Sequence, residues 1–110
     1  MKMKKKKKLV LPLKKQWFDM IRSGEKPEDY REITNYWIVR FGVKKNTETG
    51  EWDLHLFDFD EVEFTLGYPR LDETDKRMIF RNPKLRIGKG NPKWGAQEGK
   101  EYFVIIWCNS

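Results

Sequence analysis

Lys26, Asp29 and Arg31 fall within six residues of one another in the stretch Ser23-Gly24-Glu25-Lys26-Pro27-Glu28-Asp29-Tyr30-Arg31-Glu32. A lysine, a carboxylate and an arginine held that close either neutralise one another or jointly grip a polar ligand. The guanidinium is always charged and forks onto phosphate or carboxylate, whereas the lysine is a compact donor whose pKa moves when it is buried. Read as structure alone, the same trio is a set of short-range ion pairs, each worth about 0 to 1 kcal/mol when exposed.

The elements around the trio must position it. From Leu13 to Arg22 the apolar residues Leu13, Trp17, Met20 and Ile21 recur on a 3.6-residue period, which predicts a helix closed by Gly24 in the left-handed conformation. Lys26 then emerges just beyond the helix end. Residues 28–33 read as a strand, with Glu28 and Tyr30 on one face and Asp29 and Arg31 sharing the other. Thr34 is placed to cap a second short helix over residues 35–41, where Trp37 and Phe41 are four apart.

Residues 9–13 form an edge-type first strand containing Pro12, and residues 44–51 a loop or hairpin turn. Residues 52–58 and 61–66 alternate polar with apolar and predict two half-buried strands. Residues 77–80 and 84–87 follow as short strands, then a Gly/Pro-rich loop over 88–96, and a last strand over 101–107. This order predicts an α+β domain with a mainly β core.

A length of 110 residues fits one domain, and the 15% aromatic content supplies apolar area that the 38% hydrophobic fraction would otherwise leave short. The net charge of +6 comes from the N-terminus. Lys2 and Lys4 to Lys8 are six of the 23 basic residues, and without them 17 basic residues face 17 acidic ones. Residues 1–8 therefore read as a disordered Lys-rich arm, either a solubilising tail or a nonspecific phosphate-binding segment, and residues 9–110 as the folded domain. A secretory signal is not expected, because the five residues 9–13 include a proline and fall short of the roughly 7 to 15 apolar residues an h-region needs. No stretch approaches the roughly 20 apolar residues of a membrane span. The single Cys108 reads as a packed or incidental thiol, consistent with a cytoplasmic setting. Without a CxxC pair or a His/Cys cluster, neither a metal nor a cofactor is expected, and His55 reads as a surface or core-edge residue.

The order Gly24-x-Lys26-x-x-Asp29-x-Arg31 resembles the signature of the ASCH domain, a member of the PUA-like superfamily, usually written Gly-x-Lys-x-x-Glu-x-Arg. Asp29 stands where that pattern has Glu. A second block, Ile87 to Ala96 followed by Tyr102 to Ile106, resembles the C-terminal part of small bacterial and phage ASCH proteins, so the two matches span roughly residues 9 to 107. The resemblance implies a small PUA-like β-barrel of six or so strands with two or so flanking helices. It also implies a cleft that holds RNA, a nucleoside or a nucleotide. In that cleft Lys26 and Arg31 would hold phosphate or carbonyl oxygens, and Asp29 would orient Lys26 and accept from a base amino group or sugar hydroxyl. Tyr30 and Trp94 join the expected binding residues. Trp94 is either a stacking face in the cleft or a ring packed over one end of the barrel. Tyr30, Tyr36 and Trp37 carry the same alternative, with core packing the default for Trp37.

Catalysis is the alternative reading. One branch of small ASCH proteins removes the acetyl group of acetylcytidine, with the motif lysine as base, a threonine at the position of Asp29 as nucleophile and a glutamate elsewhere. An amidohydrolase here would use Lys26 and Asp29, but a carboxylate held ionised by neighbouring Lys and Arg is a poor acyl acceptor. A ribonuclease would rely on Lys26 and Arg31 to stabilise phosphorane charge. The Gly88-Lys89-Gly90-Asn91-Pro92 run lacks both the spacing and the strand-to-helix setting of a nucleoside-triphosphate loop.

Overall fold

The computed structural model describes residues 7–108. In chain order the elements are β1 (Lys8–Leu13), α1 (Lys15–Arg22), β2 (Glu28–Arg31), α2 (Asn35–Phe41), β3 (Glu61–Leu66), β4 (Arg77–Lys89) and β5 (Glu101–Cys108). Three 3-10 turns, Leu54–Leu56, Thr74–Lys76 and Pro92–Trp94, complete the set. The strands make one mixed five-stranded sheet in the order β1-β3-β4-β5-β2, with β1 parallel to β3 and β3 antiparallel to β4. The class is α+β with two helices, as composition and periodicity predict. No helix among the described residues is long and apolar enough to cross a membrane.

The expected barrel is not formed: the sheet has two edges and does not close on itself. Two strand assignments account for the difference. Residues 52–58 alternate like a strand, yet only an isolated bridge from Trp52 to Lys45 is present, and Leu54–Leu56 winds into a 3-10 turn. There the Leu56 and Phe57 N–H groups donate to the Asp53 and Leu54 carbonyls, so local bonds replace a ladder. Residues 77–80 and 84–87 are one continuous strand rather than two. Asn82, which tolerates the left-handed region better than most residues, takes a φ of 51° between them, and its N–H is satisfied by the Asp60 carbonyl at 3.0 Å. One strand lost and two fused reduce the seven strands read from the sequence to five, against the six or so of the barrel that the resemblance implies. The edges that remain are the Pro12-bearing β1 and the four-residue β2, both of a kind that resists further pairing.

Two compact units divide the chain. The first holds residues up to Glu28, Phe59–Pro83 and the end of the chain from Trp107; the second holds Asp29–Asp58 and Lys84–Ile106. In the first unit the register pairs Leu9 with Val62 and Leu11 with Phe64, all four fully buried, and Phe64 with Met78 across β4. Phe64, Phe80 and Trp107 close this core as a trio of rings with centroids 4.9 to 6.1 Å apart. From α1, Phe18 and Ile21 are buried and Trp17 is half-buried, so the helix's apolar stripe is turned by one residue from the expected one. The expected arm over residues 1–8 lies outside the described residues up to residue 6. Lys8 opens β1, and Lys7 donates its backbone N–H to the Asp60 carboxylate at 2.8 Å while its ammonium lies 4.9 Å from the Phe59 ring centre.

In the second unit Phe41, at the end of α2, meets Phe57 and Phe103 edge to face at 5.6 and 5.4 Å, and Trp52 meets Phe103 at 5.4 Å. The apolar rings that make residues 52–58 read as a strand therefore serve the core without strand pairing. Thr34 precedes α2 as expected, but its side chain makes no capping hydrogen bond.

Candidate functional site

Asp29 and Arg31 lie on one face of β2, as alternation requires, and are bonded to each other: the Arg31 Nε–H donates to Asp29 Oδ2 at 2.8 Å. Asp29 has 4% of its side chain exposed and Arg31 14%, so this is a buried pair and not a surface one. The Arg31 guanidinium also lies over the indole of Trp37, 5.0 Å from the ring centre. Trp37 reaches it because α2 starts four residues after β2 ends and folds its first turn back toward the strand. Trp37 is itself fixed by Phe41, stacked at 5.2 Å one turn along the helix, and by Tyr36, edge-on at 4.8 Å. A cation over an aromatic face contributes about 0.5 to 2 kcal/mol, more as water is excluded.

Tyr30 is on the opposite face of the strand and serves the fold. Its hydroxyl accepts from the Asn91 N–H at 2.8 Å, and its ring packs against Tyr102 and the buried Ala96. A Cβ at Gly90 would come within 2.6 Å of the Ala96 methyl and 2.7 Å of Tyr30 Cζ, so the loop passes over Tyr30 at a distance only glycine allows. Asn91 then caps the Pro92–Trp94 turn, its side chain accepting from the Lys93 N–H at 2.9 Å, and the Tyr102 hydroxyl accepts from the Gln97 N–H at 2.9 Å. The segment after β4 is thus held at Asn91 by the Tyr30 hydroxyl and at Gln97 by the Tyr102 hydroxyl. Trp94 is half-buried within it, and the ring over Arg31 belongs to Trp37.

Lys26 belongs to the first unit, three residues before the division between Glu28 and Asp29. Gly24 takes the expected left-handed φ of 85° after α1, which turns the chain so that the Lys26 N–H donates to the Met20 carbonyl at 3.0 Å. The Lys26 side chain is buried, and its ammonium lies 5.8 Å from the Trp17 ring centre. Beyond Arg31, Glu32 accepts from the Lys100 ammonium at 3.0 Å, and this hydrogen bond holds Lys100 above its usual range.

Trp37, open in the sequence between cleft wall and core packing with core the default, lies over Arg31 across the short connection between β2 and α2. Glu63 on β3 is a residue the sequence did not single out, a buried carboxylate bonded to the Lys8 ammonium at 3.4 Å and the Arg77 guanidinium at 3.1 Å. Its signal was a glutamate within the run Val62-Glu63-Phe64-Thr65 of the interior strand β3, all four of which are buried. Arg77 further donates to the Pro69 and Arg70 carbonyls, both at 3.1 Å, so this cluster fastens the 67–73 loop. Among the described residues, no group of three or more His, Cys, Asp or Glu side chains is placed to hold a metal ion. Comparison of the chain with family models, with curated proteins and with solved structures returned no match.

Proposed function

We propose that this chain is an RNA- or nucleotide-binding domain of the ASCH, PUA-like kind, in which Arg31 holds phosphate or carbonyl oxygens of the ligand. The observation that carries the reading is the setting of the Arg31 guanidinium, fixed by the Asp29 carboxylate at 2.8 Å and laid against Trp37 at 5.0 Å. A guanidinium held on two sides loses little rotamer freedom on binding. The family part of the reading rests on the Gly24-Lys26-Asp29-Arg31 motif and not on the sheet, which is open. Lys26 and Asp29 support it because both are buried at 2% and 3% exposure, and lysine and aspartate are almost never buried without a specific arrangement around them.

The test is titration of the purified protein with cytidine monophosphate and a short single-stranded RNA at low salt, by calorimetry or tryptophan fluorescence. Arg31→Lys keeps a positive charge beside Asp29 but removes the planar fork. It should weaken binding by about 10- to 100-fold, the worth of a charge-assisted hydrogen bond, while the protein stays folded. Unchanged affinity in that variant and in the double change Arg31→Met with Asp29→Leu would overturn the reading.

A further inference from the structure

We propose that two copies of this chain associate through the 67–73 loop and the face of β1, β3 and β4 that lies opposite the core of Leu9, Phe64 and Trp107. The register sets that face. Lys8, Val10 and Pro12 on β1 lie beside Glu61, Glu63 and Thr65 on β3, and these lie beside Arg81, Ile79 and Arg77 on β4. Ile79 at 50% and Val10 at 36% are exposed on either side of Glu63, so the face is open to solvent there. Arg77 brings the loop to the same side, since it bonds both Glu63 on the face and the Pro69 and Arg70 carbonyls in the loop.

The loop displays Tyr68 at 93% exposure and Leu71 at 91%, the two most exposed large apolar side chains among the described residues. Its backbone is nonetheless fixed. Besides the bonds from Arg77, the Gly67 carbonyl accepts from the Thr65 hydroxyl at 2.7 Å, the Gly67 N–H donates to the Leu13 carbonyl at 2.9 Å, and the Arg70 N–H donates to the Glu73 carboxylate at 2.9 Å. A single exposed apolar residue needs no explanation, whereas two on one held loop make an anchor that is already ordered before it binds. A tyrosine ring contributes about 150 to 250 Å² when buried, roughly a fifth to a third of the roughly 800 Å² that each partner gives to a standard interface.

The charges left over on this surface match those of a second copy. On the loop and the face, Arg70 pairs with Glu73, Lys8 and Arg77 pair with Glu63, and Glu61 is also engaged. Asp72 and Arg81 are exposed and make no ion pair or side-chain hydrogen bond among the described residues, although Arg81 lies opposite Glu61 in the register. Asp72 sits on the loop beside Leu71, and Arg81 lies four residues along β4 from Arg77. The unmatched negative charge is therefore at one end of the surface and the unmatched positive charge toward the other. Such a surface is complementary to itself under a two-fold rotation. With the axis near Ile79, Asp72 of each copy meets Arg81 of the other, and Tyr68 and Leu71 of each copy lie against the other's sheet face. A nucleic acid would match Arg81 but be repelled by Asp72.

Sedimentation equilibrium of the nuclease-treated full chain, across about 1 µM to 1 mM, should show a reversible step from 13.4 kDa to twice that mass. Tyr68→Ala should weaken the dimer by about 30-fold or more, the effect of truncating a central anchor, because each change counts twice in a two-fold contact. Asp72→Arg and Arg81→Asp should each weaken it by about 10-fold or more, because each sets two like-charge pairs across the contact. Both positions are exposed, so the urea midpoints of these variants should match the wild type. Mixing the two charge variants is the decisive arm. Each pairs poorly with itself, yet the mixed dimer holds two pairs of opposite charge and should form about as tightly as the wild-type dimer. A chain that stays at 13.4 kDa throughout, or association that nuclease abolishes, overturns the inference. So does a dimer that tolerates Tyr68→Ala, or one that the mixture of charge variants does not restore.

Discussion

Replacing Arg31 by Met would strand the Asp29 carboxylate in a setting where its side chain is 4% exposed. Because Arg31 is itself only 14% exposed, water screens the pair weakly, and removing one partner of such a pair typically costs about 3 to 5 kcal/mol. The guanidinium's contact with Trp37 is lost as well, although a methionine thioether packs well against an aromatic ring and replaces part of it. Asp29 has other contacts, which places the expected loss at the lower end, about 3 kcal/mol. Set against a total stability of about 5 to 15 kcal/mol, that is a large share. Urea unfolding followed by tryptophan fluorescence should therefore show a midpoint lower by about 1 to 3 M, with a slope of about 1 to 3 kcal/mol per molar. The double change Arg31→Met with Asp29→Leu removes both charges together and should recover most of the loss, as apolar replacements of buried ion pairs commonly do. A loss under about 1 kcal/mol in the single variant would mean that the pair behaves as a solvated surface bridge. The fixed guanidinium from which the function is argued would then not exist.

Gly90→Ala should destabilise by about 1 to 3 kcal/mol, read as a lower thermal midpoint, because its new methyl meets Ala96 and Tyr30 inside 3 Å. Glu73 is lowered from its usual 4.5, first by the hydrogen bond from Lys76 and then by the Arg70 N–H, so its stabilising effect is present above pH 4.5 and is lost as pH falls through the lowered value. The stability gap between the wild type and Glu73→Gln should close on acidification below that range. Lys100 is raised above 10.5 by Glu32, so its contribution is complete below 10.5 and disappears as pH rises through the raised value; Lys100→Gln and the wild type should converge only in strong base. Acetylcytidine incubated with the protein should be deacetylated no faster than in buffer, because the carboxylate at the nucleophile's position is engaged by Arg31; turnover abolished by Lys26→Met would make the protein an amidohydrolase instead.

The parts of the fold that periodicity could read were those whose pattern and pairing agree. α2, the Gly24 turn, and the shared face of Asp29 and Arg31 follow from local spacing alone. Residues 52–58 failed because alternation puts Trp52, Leu54 and Leu56 on one face, whereas the 3-10 turn over Leu54–Leu56 leaves Leu56 exposed and turns Phe57 into the core. The break expected between residues 80 and 84 failed for the opposite reason: Asn82-Pro83 reads as a turn, but one left-handed residue is absorbed within β4. Tyr30 lies on the face opposite Asp29 and Arg31, as alternation expects, and meets Gly90 and Asn91 there. Trp37 stayed open between cleft and core because no helical or strand period links a residue on α2 to one on β2.

The two buried carboxylates separate what makes a site from what makes a fold. Glu63 is held by Lys8 and Arg77, and Arg77 spends its remaining reach on the Pro69 and Arg70 carbonyls, so every bond of that cluster ties one backbone segment to another. Asp29 is held by Arg31 at a similar distance, but the guanidinium there rests on the indole of Trp37, beside which Tyr36 is exposed. Burial of an ion pair is common to both and therefore argues for neither function nor scaffold by itself. The difference lies in the neighbours: Arg77 donates to carbonyls of the 67–73 loop, whereas Arg31 lies against the ring of Trp37. The proposed function therefore expects substitutions at Glu63 and Arg77 to lower stability but not nucleotide binding, and Arg31→Lys to lower nucleotide binding.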